Sequence, residues 1–362
     1  MDRRRYLRRG VGLSVALFAG CSSPDTGSAT TDSGGTTTTT TSTAGSTDDG
    51  GVYVQTFLEE MAMAGRTRAG EYEVALLFTV PHRFWTVTGE ERSVVPIDDD
   101  DAVHLMAVVW DRETRTVLPG TGLSVEVNRA GRLISEEVIY PMLSQRMGFH
   151  YGGNFPLPGD DTYTVDVSVG ALPENGVRTT GAFGGRFADP ATGTIDLEYS
   201  PATRASVSSR DVDQGGSPGA LAPMEMGVPV GRAPEASALP GESVGTARSG
   251  DARFVETLLD DPPTGVNGTG PYLAVSPRTP YNRLDIPGMG LSASLTRGDS
   301  TVADEALTRT LDPNLGYHHG TTLPATESGD RLRVRVETPP QVARHEGYER
   351  AFLEMPDMEL QL

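Results

Sequence analysis

Lysine is absent from this 362-residue sequence, and all thirty of its basic residues are arginine. Forty-nine acidic residues leave a formal net charge of −19 at pH 7. A strongly acidic, well-hydrated surface keeps a protein soluble, and an acidic chain without lysine is typical of a halophilic organism. The same charge argues against a nucleic-acid partner and against electrostatic binding to anionic lipid.

Cysteine occurs once, at position 21. A single cysteine excludes intrachain disulfides and any zinc or iron–sulfur centre built on several thiolates. The sequence also lacks a Gly-x-Ser-x-Gly elbow, a P-loop, a dinucleotide fingerprint and a His-Glu-x-x-His motif. These motifs accompany common types of catalysis, and without them we predict a protein that is not an enzyme.

The first fifty residues have the composition of an export signal and a spacer. Residues 3–7 (RRRYL) fit a twin-arginine signal, and the apolar run 10–20, too short to span a bilayer, ends in the lipobox 17–21 (LFAGC). We predict a lipoprotein signal over residues 1–20 and lipid on Cys21. Residues 21–51, rich in Ser, Thr and Gly, cannot bury enough surface to fold and are expected to form a disordered tether. The protein would then be extracytoplasmic and anchored to the cell membrane, and the sequon at Asn267, a predicted glycosylation site, is consistent with export.

Two stretches of the chain are similar at a constant offset of 168 residues. Residues 134–151 (ISEEVIYPMLSQRMGFHY) align with 302–319 (VADEALTRTLDPNLGYHH), which pairs His150 with His318. The same offset aligns LPGTGLS with IPGMGLS further upstream. We infer two diverged copies of one domain, at 52–200 and 251–362, joined by a Gly/Pro/Ser-rich linker at 201–250.

Strand-like segments dominate both copies. They are β-branched or aromatic-rich, and several alternate apolar and polar residues, the pattern of a sheet with one buried face. In the first copy they are residues 73–80, 103–110, 123–127, 163–169 and 194–199; in the second, 254–259, 272–275, 291–295, 332–336 and 358–362. The prediction is an all-β chain with two immunoglobulin-like β-sandwiches in tandem. A single short helix is expected at residues 54–64.

Four residues of the first copy are candidate metal ligands. His104 and Met106 lie two residues apart in a predicted strand and therefore project from the same face. Met142 and His150 flank a glycine-containing loop that can turn toward that strand. Imidazole with thioether suits a soft ion such as monovalent copper. The alternative is that these are hydrogen-bonded histidines and core methionines without metal.

The same region resembles the periplasmic iron-transport lipoproteins. The matching segments are 141–143 (PML), 148–159 (GFHYGGNFPLPG), 163–167 (YTVDV) and the His104-Leu105-Met106 strand. The resemblance implies an immunoglobulin-like fold, binding of copper or iron by His104, Met142 and His150, and iron uptake beside a membrane permease. It also leaves a homodimer and a metal permease as candidate partners.

Two departures from the family pattern make the donor set softer. Met106 stands where the family has glutamate, and Phe187 aligns with a further histidine of the family. The first loses a carboxylate and the second an imidazole, which favours copper over iron.

The second copy retains little of the ligand set. Tyr272, Ala274 and Thr310 align with His104, Met106 and Met142, and only His318, followed by His319, remains. A packing or docking role is therefore predicted for the second copy.

Two other histidines lie outside the predicted set. His82 is interpreted as a packing residue at a strand end. His345 lies in a charged stretch near the C-terminus and receives no role.

The predicted function is that of a membrane-anchored, extracytoplasmic metal-binding lipoprotein taking part in iron or copper acquisition, with its site in the first copy. The alternative is a non-catalytic adaptor lipoprotein that docks another envelope protein and binds no metal. An electron-transfer module is a third class, but without a cysteine ligand a blue-copper centre is excluded.

Replacement of Cys21 by Ser tests the anchor. Because the lipobox cysteine is the site of lipid attachment, the Cys21→Ser protein should be released to the medium or remain unprocessed. Cell fractionation and mass spectrometry of the native N-terminus measure this. A variant that fractionates with membranes like the wild type, together with a native N-terminus that carries no lipid, would contradict the assignment.

Overall fold

Antiparallel strands make up nearly all the regular structure of residues 51–362, the part of the chain that the computed structural model describes. The predicted all-β class with immunoglobulin-like sandwiches is confirmed. The predicted signal, Cys21 and the tether up to residue 50 lie outside the described residues. Between residues 51 and 362 no helix is both long and apolar enough to cross a membrane.

The first copy contains thirteen strands. They are β1 (Phe57–Glu59), β2 (Ala62–Ala69), β3 (Tyr72–Thr79), β4 (Phe84–Thr88), β5 (Glu91–Val95), β6 (Asp101–Asp111), β7 (Leu123–Arg129), β8 (Arg132–Val138), β9 (Tyr140–Ser144), β10 (Gly148–Pro156), β11 (Asp161–Val169), β12 (Arg178–Thr179) and β13 (Ala191–Tyr199). Short 3-10 turns occupy Pro173–Asn175 and Gly181–Phe183, and the only α-helix of the described residues, α1, is Pro201–Ala205.

The remainder of the chain adds ten strands and one 3-10 turn, Ala236–Ala238. The strands are β14 (Ser209–Asp211), β15 (Glu242–Ser249), β16 (Ala252–Leu259), β17 (Tyr272–Arg278), β18 (Gly290–Arg297), β19 (Ser300–Asp312), β20 (Gly316–Thr322), β21 (Arg331–Thr338), β22 (Ala343–Arg344) and β23 (Met358–Gln361).

The two copies have the same strand order. In the first, β2-β3-β6-β10-β9 lie in one sheet and β13-β11-β7-β8 in the other; in the second the path is β15-β16-β17-β20-β19-β18-β21-β23. The long strand β19 pairs with β20 through its last residues and with β18 through its first, so it runs from one sheet to the other. In the first copy the consecutive strands β8 and β9 correspond to the first and the last part of β19.

Alternating side chains build the core between the sheets. In β11 the residues Tyr163, Val165 and Val167 are buried, while Thr164 is exposed. Burying each such apolar side chain contributes roughly 1.5–3 kcal/mol, which is why this period-two pattern predicts the strand and its buried face.

Each copy inserts a short strand into the sheet of the other. Strand β22 pairs in parallel with β9, where Ala343 lies opposite Met142, and β12 pairs in parallel with β19, where Arg178 lies opposite Thr310. The next residues repeat one hydrogen bond: the His345 N–H donates to the Leu143 carbonyl at 3.2 Å and the Thr180 N–H to the Leu311 carbonyl at 3.1 Å. The 168-residue offset also aligns Met142 with Thr310, so the two insertions are equivalent.

Two expectations about boundaries need correction. The predicted helix at 54–64 is wrong: β1 pairs there with β14, and β2 begins at Ala62 and pairs with β3. Pairing with distant segments overrides the modest helix preference of the Met and Ala residues in this stretch. The range 201–250 assigned to the linker contains α1, β14 and β15, and β15 is the edge strand of the second copy.

Candidate metal centre

Strands β9 and β10 bring two of the predicted ligands together. Met142 and His150 are direct partners in this antiparallel pair. His104 lies on the neighbouring strand β6, opposite Asn154 of β10. All four predicted ligands, including Met106, are buried.

The ring of His104 is fixed through Asn154. Its Nδ1 lies 2.7 Å from the Asn154 Oδ1, and the Asn154 side-chain amide donates to the His82 carbonyl at 3.0 Å. An amide oxygen can only accept, so His104 carries its proton on Nδ1. Its Nε2 is buried, unprotonated and without a hydrogen-bond partner among the described residues.

His150 is arranged in the same way by its own loop. Its Nδ1 lies 3.0 Å from the carbonyl oxygen of Gly148, a residue with a φ of 65°, in the left-handed region that glycine adopts readily. The proton is therefore on Nδ1, and the buried Nε2 has no partner within residues 51–362.

A third imidazole comes from the second copy. His345 follows the inserted strand β22, and the buried guanidinium of Arg344 holds the preceding turn by donating to the carbonyls of Val342 and Pro340 at 2.5 and 2.9 Å. The His345 Nε2 lies 3.3 Å from the sulfur of Met142.

His82 sets the tautomer of His345. The His82 Nδ1 lies 3.1 Å from the Val80 carbonyl oxygen and donates to it, which leaves the His82 Nε2 as an acceptor. That nitrogen lies 3.2 Å from the His345 Nδ1. His345 therefore donates from Nδ1, and its Nε2 presents a lone pair beside Met142. Three histidines thus share one arrangement, with Nδ1–H held by an acceptor and Nε2 free to ligate.

His82 itself lies within the cluster. One ring nitrogen from each of His82, His104 and His345 can be chosen so that all three lie within 4.8 Å of one another. Both nitrogens of His82 are nevertheless engaged, so we assign His82 to orientation of His345 and His150 to ligation.

Burial keeps the imidazoles neutral. Burial, followed by repulsion from neighbouring histidines, holds the pKa of His104 and of His345 well below the ordinary value, and burial lowers the pKa of His150 to about 4. Neutral imidazole is the form that binds metal, so the site needs no deprotonation at neutral pH.

The His104 Nε2 and the Met142 sulfur both approach Gly152. A Cβ placed on Gly152 would lie 2.9 Å from the His104 Nε2 and 3.0 Å from the Met142 sulfur, so a side chain here would crowd both atoms. Buried ring nitrogens without partners and a thioether are donors that suit a soft ion. Imidazole nitrogens from His104, His150 and His345 with the Met142 sulfur would supply four donors.

Met106 lies beside this donor set. It is on the same face of β6 as His104 and lines a small cavity together with His150 and His345. Whether it ligates stays a prediction.

The equivalent position in the second copy is filled by protein groups. The Arg178 guanidinium, from the inserted strand β12, donates to the Tyr272 oxygen and to the Thr310 hydroxyl, both at 2.9 Å. The Tyr272 hydroxyl lies 3.0 Å from the His318 Nε2 and satisfies it. A Cβ on Gly320, the counterpart of Gly152, would lie 2.0 Å from the Tyr272 oxygen. No space for an ion remains here.

Other residues singled out from the sequence lie apart from the centre. Phe187 packs against Tyr72 and Phe183, with ring centroids at 5.7 and 5.5 Å, and Thr180, not Phe187, occupies the position equivalent to His345. His319 points to the opposite face of β20 from His318. Asn267 is exposed in the loop after β16, where a glycan can be attached.

His82 and His345 were not predicted as site residues. His345 lies in a charged stretch near the C-terminus that gives no sign of metal binding. Only the exchange of strands between the copies shows that the second copy's histidine serves the first copy's site. No pattern in the sequence indicated a role for His82.

Comparisons with known proteins found only distant similarities. Residues 237–361 match a family model described as a domain of unknown function (DUF7350). A search of curated proteins found no match. A copper-bound variant of FetP from uropathogenic Escherichia coli strain F11 is 21% identical, covers 39% of this chain and 97% of its own, and has a TM-score of 0.31. FetP as isolated, from the same strain, is 20% identical over 39% of this chain and 96% of that one, also with a TM-score of 0.31. At this distance the similarities assign no function, which has to be inferred from the chemistry of the site.

Gly152→Ala tests the pairing of His104 and Met142. The added methyl would crowd the His104 Nε2 and the Met142 sulfur and displace them, so copper affinity should fall by about tenfold or more. Gly153→Ala is the matched control, because its Cβ would meet only Phe155 and Ile139, at 3.6 and 3.7 Å. Competition titration with a chromophoric chelator of monovalent copper measures both. Equal affinities in the two variants would place the ion elsewhere.

Substitutions at His82 separate orientation from ligation. His82→Leu leaves the His345 Nδ1 without its acceptor and should weaken copper binding by about 10- to 100-fold. In His82→Gln the amide oxygen can still accept from that nitrogen, and binding should stay within about threefold of wild type. The same titration measures both variants. Equally large losses of affinity in the two would mean that His82 is itself a ligand.

Proposed function

We propose that this protein is an extracytoplasmic, lipid-anchored metal-binding protein that takes part in copper or iron acquisition. The observation that carries the proposal is a group of three buried histidines around Met142, each with its ring proton held on Nδ1. The His345 Nε2 contacts the Met142 sulfur, His104 approaches it beside Gly152, and His150 is its partner on the neighbouring strand. Leaving a buried acceptor unpaired costs about 1–3 kcal/mol, so the unpaired Nε2 atoms of His104 and His150 favour a missing ligand.

The donor set selects the ion. It contains three neutral imidazoles and one thioether. Met106 stands beside it at the position where the family pattern has a glutamate. Thioether favours monovalent copper, whereas a carboxylate beside two histidines would favour ferrous iron. We therefore expect monovalent copper to be bound more tightly than ferrous iron.

Binding rather than catalysis fits this geometry. Four protein donors would suffice to hold an ion without an open position for substrate, as in structural metal sites. The centre is also buried, which suits a carrier that protects its cargo from water and from competing ligands.

Membrane placement follows from the N-terminal sequence. Lipid on Cys21 and a tether of about thirty residues would let the folded part stand off the membrane, where it could exchange metal with a permease. Both copies of the domain contribute to one site within a single chain, so the site is complete without a homodimer.

Paired histidine substitutions test the proposal. They are made in a full chain that carries Cys21→Ser, because a free thiol would itself bind monovalent copper. This chain should take up one copper ion, and His150→Ala should lower the affinity by about a hundredfold or more because it removes a ligand. His318→Ala, at the equivalent position of the second copy, should leave it unchanged. Equilibrium dialysis with elemental analysis and chelator competition provide stoichiometry and affinity.

Three results would contradict the assignment. Equal losses of affinity from His150→Ala and His318→Ala would mean that the site is not in the first copy. Tighter binding of ferrous iron than of copper would contradict the assigned ion. A chain that takes up no metal would favour the adaptor lipoprotein instead.

A further inference from the structure

Residues 52–61, which we name the strap, lie against the loop that carries His345. The backbone N–H of Tyr53 donates to the Gly347 carbonyl at 3.3 Å, and its hydroxyl donates to Glu349 at 2.7 Å. The N–H of Thr56 donates to the Glu346 carboxylate at 2.9 Å. The strap is thus bound to three residues that follow the proposed ligand His345.

A small cavity lies between the strap and the metal centre. The strap lines it with Gln55, Phe57, Glu59 and Met61, and the other walls include His82, Met106, Met147, His150, His345 and Glu346. The volume of the cavity that the centre of a water-sized sphere can occupy is about 20 Å³. That is room for little more than one water molecule, so a fully hydrated ion cannot enter unless the strap moves or the ion loses water. The cavity therefore joins the underside of the strap to two of the proposed ligands.

Two carboxylates face this cavity. The Glu59 Oε1 lies 3.7 Å from the His82 Nδ1, and its side chain is 11% exposed. Glu346 is 7% exposed, and its Oε2 is buried without a hydrogen-bond partner among the described residues. A buried carboxylate oxygen left unpaired is costly, which indicates a binding position for a cation.

Two arginines border the cavity. The Arg83 Nη2 lies 4.0 Å from the Glu346 Oε2, but the Arg83 side chain is 60% exposed and can turn into water. The Arg146 guanidinium donates to the Ala222 carbonyl. Arg83 can therefore leave Glu346 when a cation arrives.

Three thioethers complete the lining. Met61 lies on the strap side, and Met106 and Met147 lie on the side of the metal centre. Thioethers bind monovalent copper through soft donors that exchange readily, which suits transfer from one position to the next.

We propose that the cavity under the strap is an outer binding position, in which the charges of Glu59 and Glu346 attract monovalent copper and a lining methionine binds it before it passes to the centre at Met142. The inference rests on the proposed function and adds to it the route of the cargo. The strap acts as the lid of this route, and its tie to Glu346 couples the lid to the loop of His345.

A residue on the route of the ion affects the rates of loading and unloading more than it affects the affinity. If Glu59 lowers the barrier between solvent and the centre, its removal slows loading and unloading by the same factor and leaves the equilibrium constant unaltered. A residue that merely supports His82 would instead change the affinity.

Glu59→Gln and Glu60→Gln form the matched pair. Glu60 is the next residue, is exposed, and accepts from Ser208 instead of facing the cavity. Both are made in the full chain with Cys21→Ser. Stopped-flow transfer of monovalent copper from a chromophoric chelator gives the loading rate, excess chelator gives the unloading rate, and competition gives the Kd. For Glu59→Gln we expect both rates to fall about tenfold, with Kd within about threefold; Glu60→Gln should match the parent chain.

Glu346→Gln provides a second variant, since an amide oxygen can still accept from the Thr56 N–H and keep the strap in place. It should slow loading as Glu59→Gln does. Loading at the parent rate in both variants would overturn the proposed route while leaving the inner site intact. A tenfold weaker Kd with unchanged loading would also overturn it, because Glu59 would then act on the centre itself. If the parent chain takes up no copper, the proposed function fails and the route fails with it.

Discussion

The parallel pairing of β22 with β9 is the contact on which the metal centre depends. Two residues, Ala343 and Arg344, extend the first copy's sheet and set the direction of the next side chain, His345. The insertion is secured by the buried Arg344 guanidinium, which satisfies two carbonyls of its own turn. Without this insertion His345 would not reach Met142, His104 and His150. The second copy would thus contribute one donor to a proposed site that is otherwise built by the first.

The reciprocal insertion of β12 shows how one framework supports two chemistries. Both copies keep the glycine turn and the histidine that bonds back to it: the Nδ1 of His150 and of His318 lies 3.0 and 3.1 Å from a glycine carbonyl. The difference lies in what faces that histidine. In the first copy the neighbours leave its Nε2 free, whereas in the second a tyrosine hydroxyl satisfies the Nε2 and an arginine closes the space. In the second copy, hydrogen bonds within the protein thus take the place of a bound ion. The second copy still exchanges a strand with the first, and this exchange positions His345.

The two copies differ in whether the histidine that follows the glycine turn keeps a free ring nitrogen. Buried polar atoms are nearly always paired, and each exception costs about 1–3 kcal/mol. In the first copy the Nε2 atoms of His104 and His150 are buried and unpaired, and Glu346 leaves an oxygen unpaired in the adjoining cavity. The second copy has unpaired buried atoms too, at Glu256 and His319, but there the Tyr272 hydroxyl satisfies the His318 Nε2.

Most of the sheet framework could be predicted from the sequence, because buried strands such as β11 and β21 alternate apolar and polar residues along their length. Short strands with weak patterns, including β4, β5 and β14, could not, since distant partners stabilise them. For the site, the glycine-flanked motif and the strand face of β6 identified His104, Met142 and His150, which the structure brings together. Local patterns could not assign His345 or His82, because they reach the centre only through pairing between segments about two hundred residues apart.

The sequence by itself determined the duplication, the all-β class, the loss of ligands in the second copy and the soft character of the donors, since each depends on residue identity and spacing. Only the tertiary structure decided which copy completes the site, which ring nitrogens are free, and that a strap covers the approach. Those features depend on contacts across the chain and on hydrogen-bond partners, and neither has a local signature in the order of residues.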